Sequence, residues 1–162
     1  MNRKSVFYFF SGILFFLLQI ILSKLFAWHG IFPNFLLLST IYFGMTFGSL
    51  SGIWFGFVWG LGADILSLSI FGSQAFMFVC VGAISGMMRG QVDKDKILAQ
   101  LASVLGLVAF FALGLWFWEF VLRQNPERFR FKLTFLQVIY TVLVSPIFFG
   151  VCSSWQRRFK VE

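Results

Sequence analysis

The chain has 162 residues, of which 59% are hydrophobic and 12% charged, with a mean hydropathy of +0.88. A soluble domain carries about 25% charged residues. This composition therefore cannot cover a water-facing surface, and it excludes an ordinary cytosolic enzyme, a disordered chain and a disulfide scaffold. The net charge of +7 lies in short pieces between apolar runs. No basic stripe or aromatic platform accompanies it, so no nucleic acid is expected; cytoplasmic retention and membrane lipid headgroups account for the charge.

At about 20 apolar residues per crossing, the length holds roughly six to seven transmembrane helices and no separate soluble domain. The first apolar run, 6–27, follows Arg3 and Lys4. It is too long for a signal peptide and lacks a small-x-small cleavage site, so a retained first helix is expected. Lys24 snorkels to its far interface, with Trp28 and His29 in the loop beyond. Pro33 and Asn34 open the second span, 33–48, with Pro33 suited to the first helical turn. A short break at Ser49, Leu50 and Ser51 leads into the third span, 52–69. A single helix over 33–70 would exceed about 50 Å, so two crossings joined by a tight turn are expected. The fourth span is 74–88, followed by a polar stretch over 89–96. The fifth is 97–122, followed by a basic loop at 123–132, and the sixth is 133–151, followed by a basic tail.

With the N-terminus inside, Arg3, Lys4, Arg89, Lys94, Lys96, Arg157, Arg158 and Lys160 are cytoplasmic. Lys24, Arg123, Arg128, Arg130 and Lys132 lie outside. The eight-to-five bias puts both termini in the cytoplasm. The chain shows no internal repeat or low-complexity linker. One all-α domain over 1–162 is expected, a polytopic membrane protein of six helices.

Glycine carries the most ordered pattern. Gly44, Gly48, Gly52, Gly56 and Gly60 recur at every fourth residue, and Asp64 continues the spacing. Within the third span Gly52, Gly56, Gly60 and Asp64 share one helical face. Gly82, Gly86 and Gly90 form a second row. Small residues at this spacing let backbones approach closely in lipid, so each row is a packing face within the bundle or a docking face for a partner's helix.

Asp64 is the least affordable residue of the spans, because an acidic group at a helix centre costs about 2.5–3.5 kcal/mol on insertion scales. It lies about 18 Å from the inner end of the third span, in the outer half of the membrane. It is either a structural hydrogen-bond hub or a functional group. Glu119 precedes Arg123 by four residues, the favourable order for a helical ion pair. Gln19, Gln74 and Gln137 also fall in outer halves. Together with Asp64 and Glu119 they predict an outer polar level, as a cavity or as a network between helices. The lone His29 excludes a histidine-based metal cluster. Cys80 and Cys152 sit in apolar stretches as packing residues. No phosphate loop, dinucleotide fingerprint or nucleophile elbow occurs, so no metal, cofactor or catalytic residue is expected.

These residues resemble the rod shape-determining protein MreD family. The resemblance lies in Leu17-Leu18-Gln19, in Pro33-Asn34-Phe35, and in the glycine-spaced third span ending Trp59-Gly60-Leu61-Gly62-Ala63-Asp64-Ile65-Leu66. Ser67, Gly72, Ala75 and Glu119 extend it, and length, span count and short loops agree over essentially the whole chain. The basic segment 123–132 departs from a typical family loop. The resemblance implies a non-catalytic scaffold in the bacterial inner membrane. It would organise side-wall peptidoglycan synthesis with MreC, RodA and its penicillin-binding transpeptidase, and with the MreB filament on the cytoplasmic side. The glycine faces and the outer polar level would dock a partner's transmembrane helix.

The resemblance also implies a six-helix bundle similar to the S components of energy-coupling-factor transporters. Two alternatives follow. One is a vitamin- or metal-capturing S component, against which stands the absence of any Ala before Ala27 where those components share an Ala-x-x-x-Ala contact. The other is a small proton-coupled carrier that titrates Asp64, against which stands the absence of paired interrupted helices.

Overall fold

A computed structural model describes residue 21 and residues 33–66, 71–90, 97–123 and 131–158. Among these residues the chain is entirely helical, in five helices: α1 (Phe35–Phe47), α2 (Ser49–Leu66), α3 (Ser73–Met87), α4 (Ile97–Arg123) and α5 (Phe131–Arg158). They fall on the second to sixth predicted spans. The first predicted span, with Gln19, Lys24, Trp28 and His29, lies outside the described residues.

Local chemistry sets the helix ends. Asn34 caps α1, its Oδ1 accepting from the Leu37 N–H at 3.0 Å. Pro33 therefore precedes the cap instead of occupying the first turn as expected, and its ring is buried. At the other end Gly48 adopts φ 99°, ψ 175° and breaks the helix alone, so α2 begins at Ser49 and not at Gly52. A side chain is strained at that φ, and this is why one glycine suffices as the turn. α5 covers the sixth predicted span, 133–151, and continues past Val151 to Arg158. The carbonyl that Pro146 cannot serve, that of Val142, accepts from Ser145 Oγ at 2.7 Å.

α1 is the centre of the bundle. Every residue from Phe35 to Met45 is buried, the mark of a helix that is apolar all round and enclosed by others. Its two hydroxyls are satisfied locally, with Ser39 Oγ and Thr40 Oγ1 both donating to the Leu36 carbonyl. Phe43 stacks on Phe55 of α2 with ring centroids 4.1 Å apart. α3 runs antiparallel to α2, and α4 antiparallel to α3, through an edge-on contact of Phe78 with Phe111 at 5.0 Å. α5 returns beside α1, where the Asn34 N–H donates to Thr141 Oγ1 at 3.2 Å and Tyr42 meets Phe149 edge-on at 5.4 Å.

α4 and α5 contain apolar stretches, Leu98–Val121 and Leu133–Ser154, that are long enough to cross a membrane. Each stretch is only 22% buried. Leu98, Leu113, Phe117, Leu143 and Ile147 are largely exposed. So much contiguous apolar surface is unsuited to water and suited to lipid. α1 and α3 are shorter apolar helices of 13 and 15 residues.

Candidate functional site

The two glycine rows are turned on each other. A Cβ at Gly52 would overlap the Gly82 carbonyl, one at Gly56 the Phe78 carbonyl, and one at Gly60 the Ala75 backbone. From the other side, a Cβ at Gly82 would overlap the Gly52 carbonyl and one at Gly86 the Ser49 backbone. Gly44 of α1 joins the seam, facing Ser85 and Gly82. The backbones of α2 and α3 therefore touch along their whole shared length, as small residues at helical spacing allow. Of the two uses expected for these faces, the geometry shows the contact within the chain; in this arrangement the seam has no room for another helix. Gly90, placed in the second row by spacing, lies beyond α3 in a turn with φ 80°.

The seam delivers Asp64. This residue stands in the last turn of α2, further from the helix start than expected because α2 begins early. It is 3% exposed. Its Oδ2 accepts from the N–H groups of Gly72 and Ala75, both at 3.0 Å, and its Oδ1 accepts from the Gln74 N–H at 3.1 Å. These donors are the open end of α3. A helix leaves its first N–H groups without internal partners, and a side-chain oxygen at the cap normally serves one of them. Here the cap position is Gly72, in a left-handed conformation with φ 92°, and it has no side chain to offer. Asp64 supplies the acceptor from the neighbouring helix. Its short side chain reaches because Gly60, one turn earlier, lies against Ala75.

Of the predicted outer polar level, Asp64 meets Gln74 through the Gln74 backbone N–H. Glu119 is half-buried on α4, next to Trp118, whose ring meets Phe76 edge-on at 5.9 Å. Gln137 is half-buried on α5, and its carbonyl accepts from Thr141 Oγ1 at 2.7 Å. The antiparallel packing brings Asn34, Asp64, Gln74, Glu119 and Gln137 to one end of the bundle. Gln19 and the side chain of Arg123, the expected partner of Glu119, lie outside the described residues.

The opposite end has a counterpart that spacing did not reveal. Arg89, in the turn after α3, donates from Nη1 to the Phe47 carbonyl at 3.1 Å. It thereby serves a terminal carbonyl of α1 and places positive charge at a helix C-terminus, where it is favoured. Thr141 was likewise missed, because its partner is a backbone N–H 107 positions away in sequence. Among the described residues no three His, Cys, Asp or Glu side chains gather to hold a metal. Cys80 and Cys152 are free thiols, half-buried and buried respectively.

The arrangement is one of helix ends closed by side chains from neighbouring helices, around a backbone seam. A family model described as rod shape-determining protein MreD matches residues 3–155. The chain belongs to the MreD family. MreD is a membrane protein family with a role in rod shape determination, and it is not a known enzyme family. MreD is part of the shape-determining MreBCD system. No curated protein and no solved structure matches the chain.

Proposed function

We propose that the chain is a multi-pass scaffold of the bacterial inner membrane. It crosses six times with both termini cytoplasmic and organises side-wall peptidoglycan synthesis together with MreC. RodA and its penicillin-binding transpeptidase are gathered through the same assembly, and MreB is reached indirectly or on the cytoplasmic side. The observation that carries this reading is the MreD match over nearly the whole chain.

The geometry supports a non-catalytic role for the buried acidic group. Asp64 accepts three backbone hydrogen bonds and closes α3, which is a structural use of its oxygens. It also redirects the site of partner docking. With the glycine rows closed on each other, the surfaces left for a partner's helix are the outward apolar faces, such as Leu50 and Trp54 on α2 or Leu113 and Phe117 on α4. Lateral packing on such faces draws on van der Waals contact in lipid.

Co-purification from bacterial membranes in mild detergent tests the reading. MreC is expected to remain bound to the tagged chain, and a well-folded preparation that retains no MreC contradicts the proposal. A thermal shift of several degrees with any member of a vitamin panel, which signals substantial ligand occupancy, would favour the S-component alternative.

A further inference from the structure

We propose that Arg89 forms the headgroup site for an anionic phospholipid, at the end of the bundle where α1 and α3 finish and α2 begins. The inference rests on the reading that these helices cross the membrane. Arg89 is exposed, yet its side chain is tethered. Nη1 donates to the Phe47 carbonyl at 3.1 Å, and the side chain lies across Gly48, where a Cβ would stand 3.2 Å from Nη1 and 3.8 Å from Cδ. The glycine of the turn thus leaves the guanidinium its seat. A guanidinium carries several N–H donors in a planar fork. The Phe47 carbonyl is its one hydrogen-bond partner among the described residues. The remaining donors suit the oxygens of a phosphate, and a side chain already fixed loses little freedom when it binds.

The surroundings select a lipid over a water-soluble anion. Exposed side chains at the same level are apolar: Leu50 on the first turn of α2 is 71% exposed and Met87 on the last turn of α3 is 69% exposed. Exposed Trp54 stands one turn further along α2. A phosphate joined to acyl chains matches both the guanidinium and these apolar neighbours, and an indole suits the level just below a headgroup. The charge also has the right sign. Among the described residues this end carries Arg89 and, at the close of α5, Arg157 and Arg158, with no carboxylate. At the opposite end Arg123 and Lys132 are equalled in number by Asp64 and Glu119. Uncompensated positive charge at a membrane surface draws anionic headgroups.

Thermal unfolding of the purified full chain in a neutral detergent tests this, with dilauroyl phosphatidylglycerol, dilauroyl phosphatidylcholine or inorganic phosphate added. Phosphatidylglycerol is expected to raise the unfolding midpoint at concentrations where the other two do not. In Arg89→Ala the concentration giving half of that shift is expected to rise about tenfold, the scale of one charged hydrogen bond. Arg89→Lys keeps the charge without the fork and should lose less. Arg123→Ala removes a positive charge from the opposite end and should respond as the parent does. An unchanged phosphatidylglycerol response in Arg89→Ala would overturn the inference, and an equal loss in Arg123→Ala would overturn it by reducing the effect to net charge. Equal shifts with phosphatidylcholine would leave no part for the headgroup charge, and equal shifts with inorganic phosphate none for the acyl chains; either overturns it. The crossing is read separately, from a spin label carried by Val58→Cys in a Cys80→Ala, Cys152→Ala background in dioleoyl phosphatidylcholine vesicles. Val58 is exposed, so a label there spares the packing. A label shielded from water supports the crossing whatever the phosphatidylglycerol result, and a water-accessible one overturns the crossing and the inference together.

Discussion

The helices α1 to α3 and the pair α4–α5 solve the problem of packing apolar helices in opposite ways. In the first group glycine brings backbones into contact, and polar groups are passed between helices to close exposed ends. In the second, aromatic side chains such as Phe111 and Phe149 reach α3 and α1, and nothing lies near a Cβ at Gly106 or Gly150. Gly114 is the exception, facing the flexible end of Met77. The difference teaches that helical glycine spacing has meaning only with respect to what lies opposite. The same residue type fixes geometry in one half and tolerates replacement in the other.

The largest expected effect breaks this contrast directly. Gly60→Leu forces α2 from Ala75 and removes Asp64 from its donors. Overpacking alone costs about 1–3 kcal/mol, and loss of the cap adds to it. Gly106→Leu should shift stability by no more than about 0.5 kcal/mol, the range for surface positions. Unfolding of both purified proteins in the same detergent provides the comparison; equal losses would erase the distinction between the halves.

Next comes the cap itself. Asp64→Ala leaves the N–H groups of the Gly72 cap and of Gln74 and Ala75 without their acceptor, and a buried unsatisfied group costs about 1–3 kcal/mol. A loss of about 3 kcal/mol in steric-trapping or denaturant unfolding is expected. Asp64→Asn keeps one carbonyl acceptor and should lose less. A smaller effect is expected where α5 meets α1. Thr141→Val removes the acceptor for the Asn34 N–H, at about 1 kcal/mol. Smallest is Arg89→Ala, whose exposed hydrogen bond to the α1 terminus should contribute less than about 1 kcal/mol. High salt should mask much of that loss.

Much of this was legible in the sequence, for identifiable reasons. The apolar runs coincide with the described helices, since a long apolar segment satisfies its own backbone most simply as a helix. Glycine spacing identified the faces of Gly52, Gly56, Gly60, Gly82 and Gly86. Spacing cannot say which surface a face meets, so an intrachain seam and a partner site read alike. The unfavourable placement of Asp64 marked it as a residue needing a partner. Its partners, however, are backbone N–H groups, which every residue carries; only Gly72, lacking a side chain at a helix start, hinted at them. Arg89 reads only as loop charge, and Thr141 carries no signal within its apolar span, because their partners lie far away in the chain. Past the predicted span α5 continues helically to Arg158, because hydropathy marks the apolar run and not the helix end.

The most direct test of the central claim is Gly56→Leu, followed for both fold and partner. Gly56 lies in the middle of the seam, against the Phe78 backbone. If the glycine rows hold α2 to α3, the purified variant loses its monodisperse, cooperatively unfolding state, and bound MreC disappears with it. A variant that stays folded and monodisperse yet no longer retains MreC would contradict the account, because the glycine face would then be a partner's docking site.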